Sequence, residues 1–550
     1  MYQSLLTNRY LSSRVIPFIA VAAVALCVAL VIIVVSVMTG FLNLVKNSGQ
    51  TLMGDVVISY PISGIPYYDE LIERIEALPD VAGAAPVCDT YGLLKMPYPA
   101  GRDKESHTVN IWATDPERFA IVTKYAETIY WRPYAEDDSL REDDYRRFLG
   151  REKLDTLLDE GLSLRDTDSD RPGICLGMHV SRANERQRDG SYEPLGDGYW
   201  HMPAFDVTLT TIPVQGGVPG EAESFIFPVV NEFVSGVFLI DQQRVIIPLE
   251  VGQQMLHLDE ARTFNEATGE EGVDPARATM ILVRAKRADE YPDGSAATPL
   301  TAEQLRDRIE PIYEELRAER GSIMPAKQFG LRIMTWEEQQ ARFIEPVEKE
   351  RELMRTLFTL IYIVCAGLVL AIFWSIVFEK TRDIGILRSI GASRLGISWI
   401  FIRYGFIVGT LGAVVGFGLG VYVVRNINVI HDAMGNPPMT LAIIFAAFAA
   451  YFLAMTVRFV IKDRMFPIAL CGMSTAGFAG LAALIIILRH VGGIQIWSPE
   501  VYYFERIPNE VDYGSALITM IGAVIFSLIG SFLPAARAAD TDPVSALRYE

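Results

Sequence analysis

Several signatures of self-contained chemistry are missing from this 550-residue chain. It has no GxxxxGK[ST] phosphate loop, so it does not itself hydrolyse ATP by that route. HExxH and GxSxG are also absent, and the six histidines (His107, His179, His201, His257, His431, His490) are scattered. Cysteine is scarce: there are five, with no CxxC or other metal-ligand spacing. Cys27, Cys365 and Cys471 lie in apolar runs and read as packing residues. Cys88 and Cys175 lie in a polar region, where they either pair, if that region is extracytoplasmic, or remain two free thiols. Excess positive charge is missing too. A net charge of -18 argues against nucleic acid or a broad anionic surface as the main partner of the polar part.

What the chain does have is hydrophobic residues, half of the total, at a mean hydropathy of +0.24. That mixture points to membrane segments plus a large polar part. Val15–Met38 is uncharged and apolar, too long for a signal-peptide core of about 7–15 residues and long enough to span a bilayer. We read it as an uncleaved first span, with Arg9 and Arg14 placing the N-terminus in the cytoplasm. Further runs at Leu357–Val377, Ile397–Val424, Met439–Val457, Ile468–Leu488 and Ala516–Leu533 bring the expected count to six, with both termini cytoplasmic. The loops agree in sign. Glu379–Gly396 carries Lys380, Arg382, Arg388 and Arg394, and Arg458–Phe466 carries Arg458, Lys462 and Arg464, whereas Arg489–Tyr513 is rich in acidic, proline and aromatic residues.

The expected organisation is therefore a cytoplasmic N-terminus (1–14), a first span (15–38), an extracytoplasmic domain (43–355) and a C-terminal membrane domain (356–550). In the external domain, DVVISY (Asp55–Tyr60), TVNIWATD (Thr108–Asp115) and ATMILVRAK (Ala278–Lys286) read as strands. Tyr68–Val81 places Leu71, Ile72, Ile75 and Leu78 on a helical face, and Thr301–Glu319 reads as a second helix. FDVTLTTIPV, FIFPVV and QRVIIPLE, in the middle, are strand-like. The fold expectation is a multi-span helical membrane domain plus a large extracytoplasmic α/β domain with an inserted β-rich subdomain. Glu127–Pro172, rich in Asp, Glu and Arg, reads as a polar insertion of helical character. Thr335 and Glu338 form a capping-box pattern, from which a helix either continues through Pro346 into the second span or stops there and restarts.

Two stretches of the membrane domain stand out. GFGLG (Gly416–Gly420) looks like a nucleotide fingerprint but lies inside an apolar span. Gly405, Gly409, Gly412, Gly416 and Gly420 fall at three- or four-residue spacing, the pattern of close helix packing. FEKTRDIGILRSIGAS (Phe378–Ser393) is a short charged segment between two spans, with Ile384, Leu387 and Ile390/Gly391 at helical spacing. Alone, it reads equally as an amphipathic helix lying at the lipid headgroups.

That segment with its glycine-rich span, and PAARAADTDPVSALRYE (Pro534–Glu550), resemble the permeases of MacB/FtsX-type ABC transporters. RYLSSR (Arg9–Arg14), SVMTGF (Ser36–Phe41), Val229–Leu256, TWEEQQ (Thr335–Gln340) and VYYFERIP (Val501–Pro508) resemble the lipoprotein-releasing permeases LolC and LolE. The chain departs from that family's usual four spans by two extra ones within Met439–Leu488, and Ile212–Ser224 carries no basic residue.

The resemblance implies a non-catalytic permease without a cofactor of its own, in the bacterial inner membrane. ATP is bound by a separate ATPase subunit, and a second permease, the same chain or a homologue, completes the pair. A lipoprotein enters from the membrane lipids and leaves to a periplasmic carrier. It implies a coupling helix at 379–394 comprising Glu379, Lys380, Arg382, Asp383, Ile384, Ile386, Leu387, Arg388, Ile390, Gly391 and Ala392. It also implies acyl-chain contacts at Met38, Phe41, Leu42, Leu357, Phe358 and Ile361. Related alternatives are MacB-like export of a periplasmic substrate and FtsX-like regulation of a cell-wall hydrolase.

Overall fold

A computed structural model describes residues 16–97, 104–134, 146–181, 184–186, 192–194, 202–215, 218–265, 270–291, 299–435, 438–461, 465–491 and 507–541. Arg9, Arg14, Lys462, Arg464, the 501–506 part of VYYFERIP and the terminal 542–550 lie outside them. The chain forms two compact units. One is built from the chain up to Leu44 and from Pro346 onward, the other from Val45–Glu345.

Among the described residues, six helices are long and apolar enough to cross a membrane: Phe18–Leu44, Ile344–Glu379, Arg394–Arg425, Met439–Ile461, Pro467–His490 and Tyr513–Ala539. In chain order they are the first to sixth spans. The second belongs to one helix, Ala341–Glu379, that passes through Pro346. Proline removes one backbone donor, and its ring crowds the carbonyl of residue i−4. Near the start of a 39-residue helix that single defect is outweighed by the many intact hydrogen bonds of the remaining turns. The Thr335 capping box forms, with Glu338 N donating to Thr335 Oγ1 at 3.3 Å and Thr335 N to Glu338 Oε2 at 3.0 Å. It caps a separate turn, Trp336–Gln339, and Gln340 separates that turn from the long helix.

The glycine stripe of the third span divides its contacts. A Cβ on Gly405 or Gly409 would strike Ser531 or Ser527 of the sixth span. At Gly412, Gly416 and Gly420 it would meet Val24, Ala25 and Ile32 of the first. Gly416 is the most demanding, because the added carbon would sit 2.5 Å from the Ala25 carbonyl oxygen, which belongs to backbone and cannot rotate away. Apolar attraction between helices is weak in lipid, so close backbone approach supplies the packing. The second span joins through Val369 and Phe373, buried in one cluster with Val24, Val28 and Val408. The fourth and fifth spans differ. They pack on each other by stacking Phe445, Phe448 and Phe452 around Phe478, and only Ala442, Ala449 and Ala482 are buried among their described residues.

The external unit is organised on a nine-stranded mixed sheet. Its strand order is Arg332–Thr335, Val56–Ser59, Met280–Ala285, Val81–Pro97, Lys104–Thr114, Arg244–Pro248, Ile174–Gly177, Glu223–Phe233 and Asp206–Thr211. The strands expected from the two ends and from the middle thus share one sheet, and the α/β and β-rich parts appear as two cores upon it. The first core packs helices Tyr68–Glu76 and Ala302–Arg320 through Leu71, Ile72, Ile75, Leu305, Ile309 and Tyr313 onto Val56, Ile58, Ile281 and Val283. Leu305, Ile309, Tyr313 and Leu316 recur every three to four residues, as one buried helical stripe requires. The second core joins Val109, Ile111, Leu176, Leu209, Phe227, Val245 and Ile247.

Cys88 and Cys175 are free and buried. They lie on strands that are not hydrogen-bonded neighbours, with two others between them in the sheet order, so they do not pair. The polar stretch Glu127–Pro172 holds a helix as expected, residues 135–145 lying outside the described ones. Helix Arg151–Ser163 buries Leu154 and Leu157 beside Trp131. It is tied to the sheet by Asn231, which donates to Leu157 O at 2.7 Å and Trp131 O at 3.0 Å and accepts from Trp131 N at 3.1 Å. The adjoining Glu232 is buried and accepts from Trp131 Nε1 at 2.8 Å. Burial pushes its carboxyl up to about 8, against the opposing pull of that hydrogen bond.

Candidate functional site

The charged segment after the second span forms a helix, Thr381–Ser389, that ends in a defined turn. Ala392 N donates to Leu387 O at 3.0 Å and Gly391 N to Arg388 O at 3.1 Å, with Gly391 at φ +105°. This is a Schellman termination, in which a glycine takes a left-handed conformation and satisfies the last helical carbonyls. Ser393 then caps the third span by accepting from Gly396 N at 3.1 Å. The letters IGAS therefore encode a stop and a restart within four residues.

This turn ends the apolar face read from spacing. Ile384 is 2 % exposed and joins the membrane-unit core with Val377, Ile397 and Ala535. Gly385 is also buried, and Leu387 is half-buried. Gly391 lies beyond the helix, but Ile390 is its αR C-cap and donates to Ile386 O at 3.2 Å, so the face Ile384–Leu387–Ile390 runs on through Ile390, buried at Ile384 and exposed at Ile390. The apolar side chains presented outward are Ile386 at 41 %, Ile390 at 80 % and Leu395 at 84 % exposed. Leu395 was missed because helical spacing does not carry across a turn. The glycine followed by serine was the signal that could have found it.

Charge fixes the segment in place. Lys380 Nζ pairs with Asp383 at 3.1 Å. Arg388 donates to the carbonyl of Ala539, and Arg394 pairs with Asp540 at 3.7 Å. The end of the sixth span is thus bonded to both sides of the Gly391 turn. Glu379 and Arg382 flank the segment, and Ala392 is half-buried beside the core. Two distant stretches singled out by sequence, FEKTRDIGILRSIGAS and the start of PAARAADTDP, meet here.

The six proposed acyl-chain residues are placed less uniformly. Leu42 and Phe358 are buried, Met38, Phe41 and Ile361 are half-buried, and Leu357 is half exposed. Leu357 shares a shallow depression on the second span with Thr356, Leu360 and Ile363. At the other helix, Gly40 packs on Pro508, and Thr39 Oγ1 donates to Asp512 at 3.2 Å. Asp512 caps the sixth span through Ser515 N at 3.0 Å, so the Met38–Leu42 end of the first span is pinned to the start of the sixth.

Two family models match the chain that carries this geometry: the FtsX-like permease C-terminal over residues 355–488 and the MacB-like periplasmic core domain over 18–154. The two matches make the chain similar, over these residues, to MacB-like and FtsX-like permease domains. The MacB-type match takes in the first span and the start of the external sheet, and the FtsX-type match takes in the charged helix and the second to fifth spans. Among curated proteins, the lipoprotein-releasing system transmembrane protein LolC of Neisseria meningitidis is 22 % identical over 228 residues, 42 % of each chain. LolC of Haemophilus influenzae is 30 % identical over 106 residues, 19 % of this chain and 27 % of its own. LolE of the same organism is 24 % identical over 169 residues, 31 % and 28 % of the two chains. The chain thus spans about two fifths of the length of the first of these relatives. The periplasmic region of MacB from Actinobacillus actinomycetemcomitans aligns over 55 % of this chain and 97 % of its own, at 13 % identity and a TM-score of 0.25.

Proposed function

We propose that this chain is the MacB/FtsX-type membrane subunit of an ABC transporter, driven by a separate ATPase subunit docked on the segment Glu379–Leu395. The observation that carries the reading is the build of that segment. Ile386, Ile390 and Leu395 are exposed, while Ile384 and the Arg388–Ala539 bond fasten the same turn to the spans. A load placed on the exposed side is then delivered to the second, third and sixth spans. The second span continues the helix that starts at Ala341, which supports transmission toward the external unit. In this reading the segment faces the cytoplasm, both termini lie on that side, and a second permease subunit completes the complex.

The similarity to LolC and LolE favours a finer proposal, release of lipoproteins from the inner membrane to a periplasmic carrier, with Met38, Phe41, Leu42, Leu357, Phe358 and Ile361 near the acyl chains. The MacB-like core domain supports a second reading, export of a periplasmic substrate.

The test is affinity capture of the full chain from membranes, with and without Ile390→Asp and Leu395→Asp. Both positions are exposed, so the variant folds. Burying each side chain in an interface is worth about 1.5–3 kcal/mol, so the pair lowers affinity at least about a hundredfold. An ATP-binding protein is expected with the wild type and lost with the variant; equal recovery from both sinks the docking assignment. Mass spectrometry of the purified complex that finds no acylated protein sinks the lipoprotein reading alone.

A further inference from the structure

The external unit contains a cavity of about 220 Å3 that has no part in ATPase docking or in the acyl-chain contacts. Three segments wall it: Met53–Asp55, Val122–Lys124 and Arg284–Ala288, with Pro299 and Leu300 at one side. Four of its lining side chains are cationic, Lys124, Arg284, Lys286 and Arg287, against one carboxylate, Asp55. In a chain of net charge -18 this is a concentration of the minority sign.

The charges have unequal duties. Arg284 is committed, because Nε donates to Ile121 O at 2.9 Å and the two terminal nitrogens grip Glu290 at 2.9 and 3.0 Å. Glu290 also accepts from Arg287 N at 2.9 Å, so this carboxylate is consumed in building the wall. Asp55 accepts from Ala285 N at 2.8 Å and holds the end of a strand. Lys124, Lys286 and Arg287 make no ion pair among the described residues. After the hydrogen bonds from Arg284, the nearby charge of Arg287 helps hold the Glu290 carboxyl below its ordinary value, but its guanidinium, like the two ammonium groups, lines the cavity with donors that an entering anion can accept from.

We infer that this cavity binds the phosphate group of an anionic ligand. Its size is below the ~300–1,000 Å3 of sites for drug-sized molecules, so it takes a headgroup rather than a whole lipid. A guanidinium and two ammonium groups supply the charge-assisted donors that phosphate oxygens accept. Met53 follows Leu44, the end of the first span, by nine residues, a chain reach of at most ~30 Å. That tether keeps a membrane phospholipid among the possible sources; a soluble phosphate is the other.

The experiment uses the full chain in lipid nanodiscs of phosphatidylcholine with or without phosphatidylglycerol, and in detergent with inorganic phosphate. Native mass spectrometry counts retained phosphatidylglycerol, and thermal melts at fixed ionic strength read the phosphate effect. The variant is Lys286→Gln with Arg287→Gln, which removes no ion pair found for either side chain among the described residues, and every phosphate response is read against that variant's own ligand-free melting temperature. At about 1 kcal/mol per cation near a phosphate, the variant binds roughly thirtyfold more weakly. Variant-sensitive retention of phosphatidylglycerol supports the site with a lipid as its source. A variant-sensitive response to inorganic phosphate without lipid retention supports it with a soluble source. If wild type and variant retain the same lipid and respond alike to phosphate, or if the wild type binds neither, the inference is overturned.

Discussion

Gly391 offers the sharpest test of how the charged segment is built. Its φ of +105° is closed to L side chains except at a cost, yet a Cβ there would find nothing within 4 Å. Crowding is therefore absent, and any penalty is backbone strain, about 1–2 kcal/mol for alanine. Strain of that size weakens the bonds that close the turn, from Ala392 N to Leu387 O and from position 391 to Arg388 O. Since 1.4 kcal/mol is tenfold in an equilibrium, amide exchange across Ile386–Ser393 accelerates roughly 5- to 30-fold in Gly391→Ala. Asparagine tolerates left-handed backbone better, so Gly391→Asn falls between glycine and alanine, and Gly391→Val is worst. Hydrogen exchange read by mass spectrometry on the full chain in nanodiscs gives this order directly. Unchanged exchange in Gly391→Ala, or asparagine proving worse than alanine, would refute the reasoning. A bulky charged residue at Gly391 is accordingly a poor probe of docking, because it breaks the turn before it meets a partner.

Two further outcomes are expected. Gly416→Leu forces a side chain against the Ala25 carbonyl and costs about 1–3 kcal/mol or more, whereas Gly418→Ala, on the same helix with nothing within 4 Å, is neutral; thermal melts in detergent compare them. Glu232 sets a pH dependence. Its carboxyl sits at about 8 when folded against 4.5 as its ordinary value, so between them the folded chain keeps a proton the unfolded chain has lost. Stability from this group is full below the lower value and falls as pH rises toward 8, by up to ~1.4 kcal/mol per pH unit. Glu232→Gln should flatten that part of a melting-temperature profile, and an unchanged slope would assign it elsewhere.

Much of the architecture was legible in the residue pattern. Uninterrupted apolar length marks a membrane helix because every backbone polar group in lipid must be satisfied within it. Hence the described part of Val15–Met38, from residue 16, and the five later runs fall on long helices. Local alternation likewise found Val56–Ser59, Met280–Ala285 and Arg244–Pro248. Within the polar, helical stretch Glu127–Pro172 the sequence did not show that Leu154 and Leu157 are buried beside Trp131, because charges that face water outnumber them. The charged segment was found from its position and composition, but spacing did not record that Ile384 is buried against the spans while Ile390 stays exposed, nor that Leu395 beyond the Gly391 turn is exposed as well.

By itself the sequence determined the membrane helices, the division into spanning and polar parts, and the stop–restart signal at Ile390–Ser393, since each depends on neighbours in the chain. The tertiary structure alone decided which glycine meets which helix, that Cys88 and Cys175 stand apart, and that Arg388 reaches Ala539. It also decided that Lys124, Lys286 and Arg287 converge on one cavity. Those facts join residues as distant in the chain as Ala25 and Gly416, and no local period records a contact made only when the chain closes on itself.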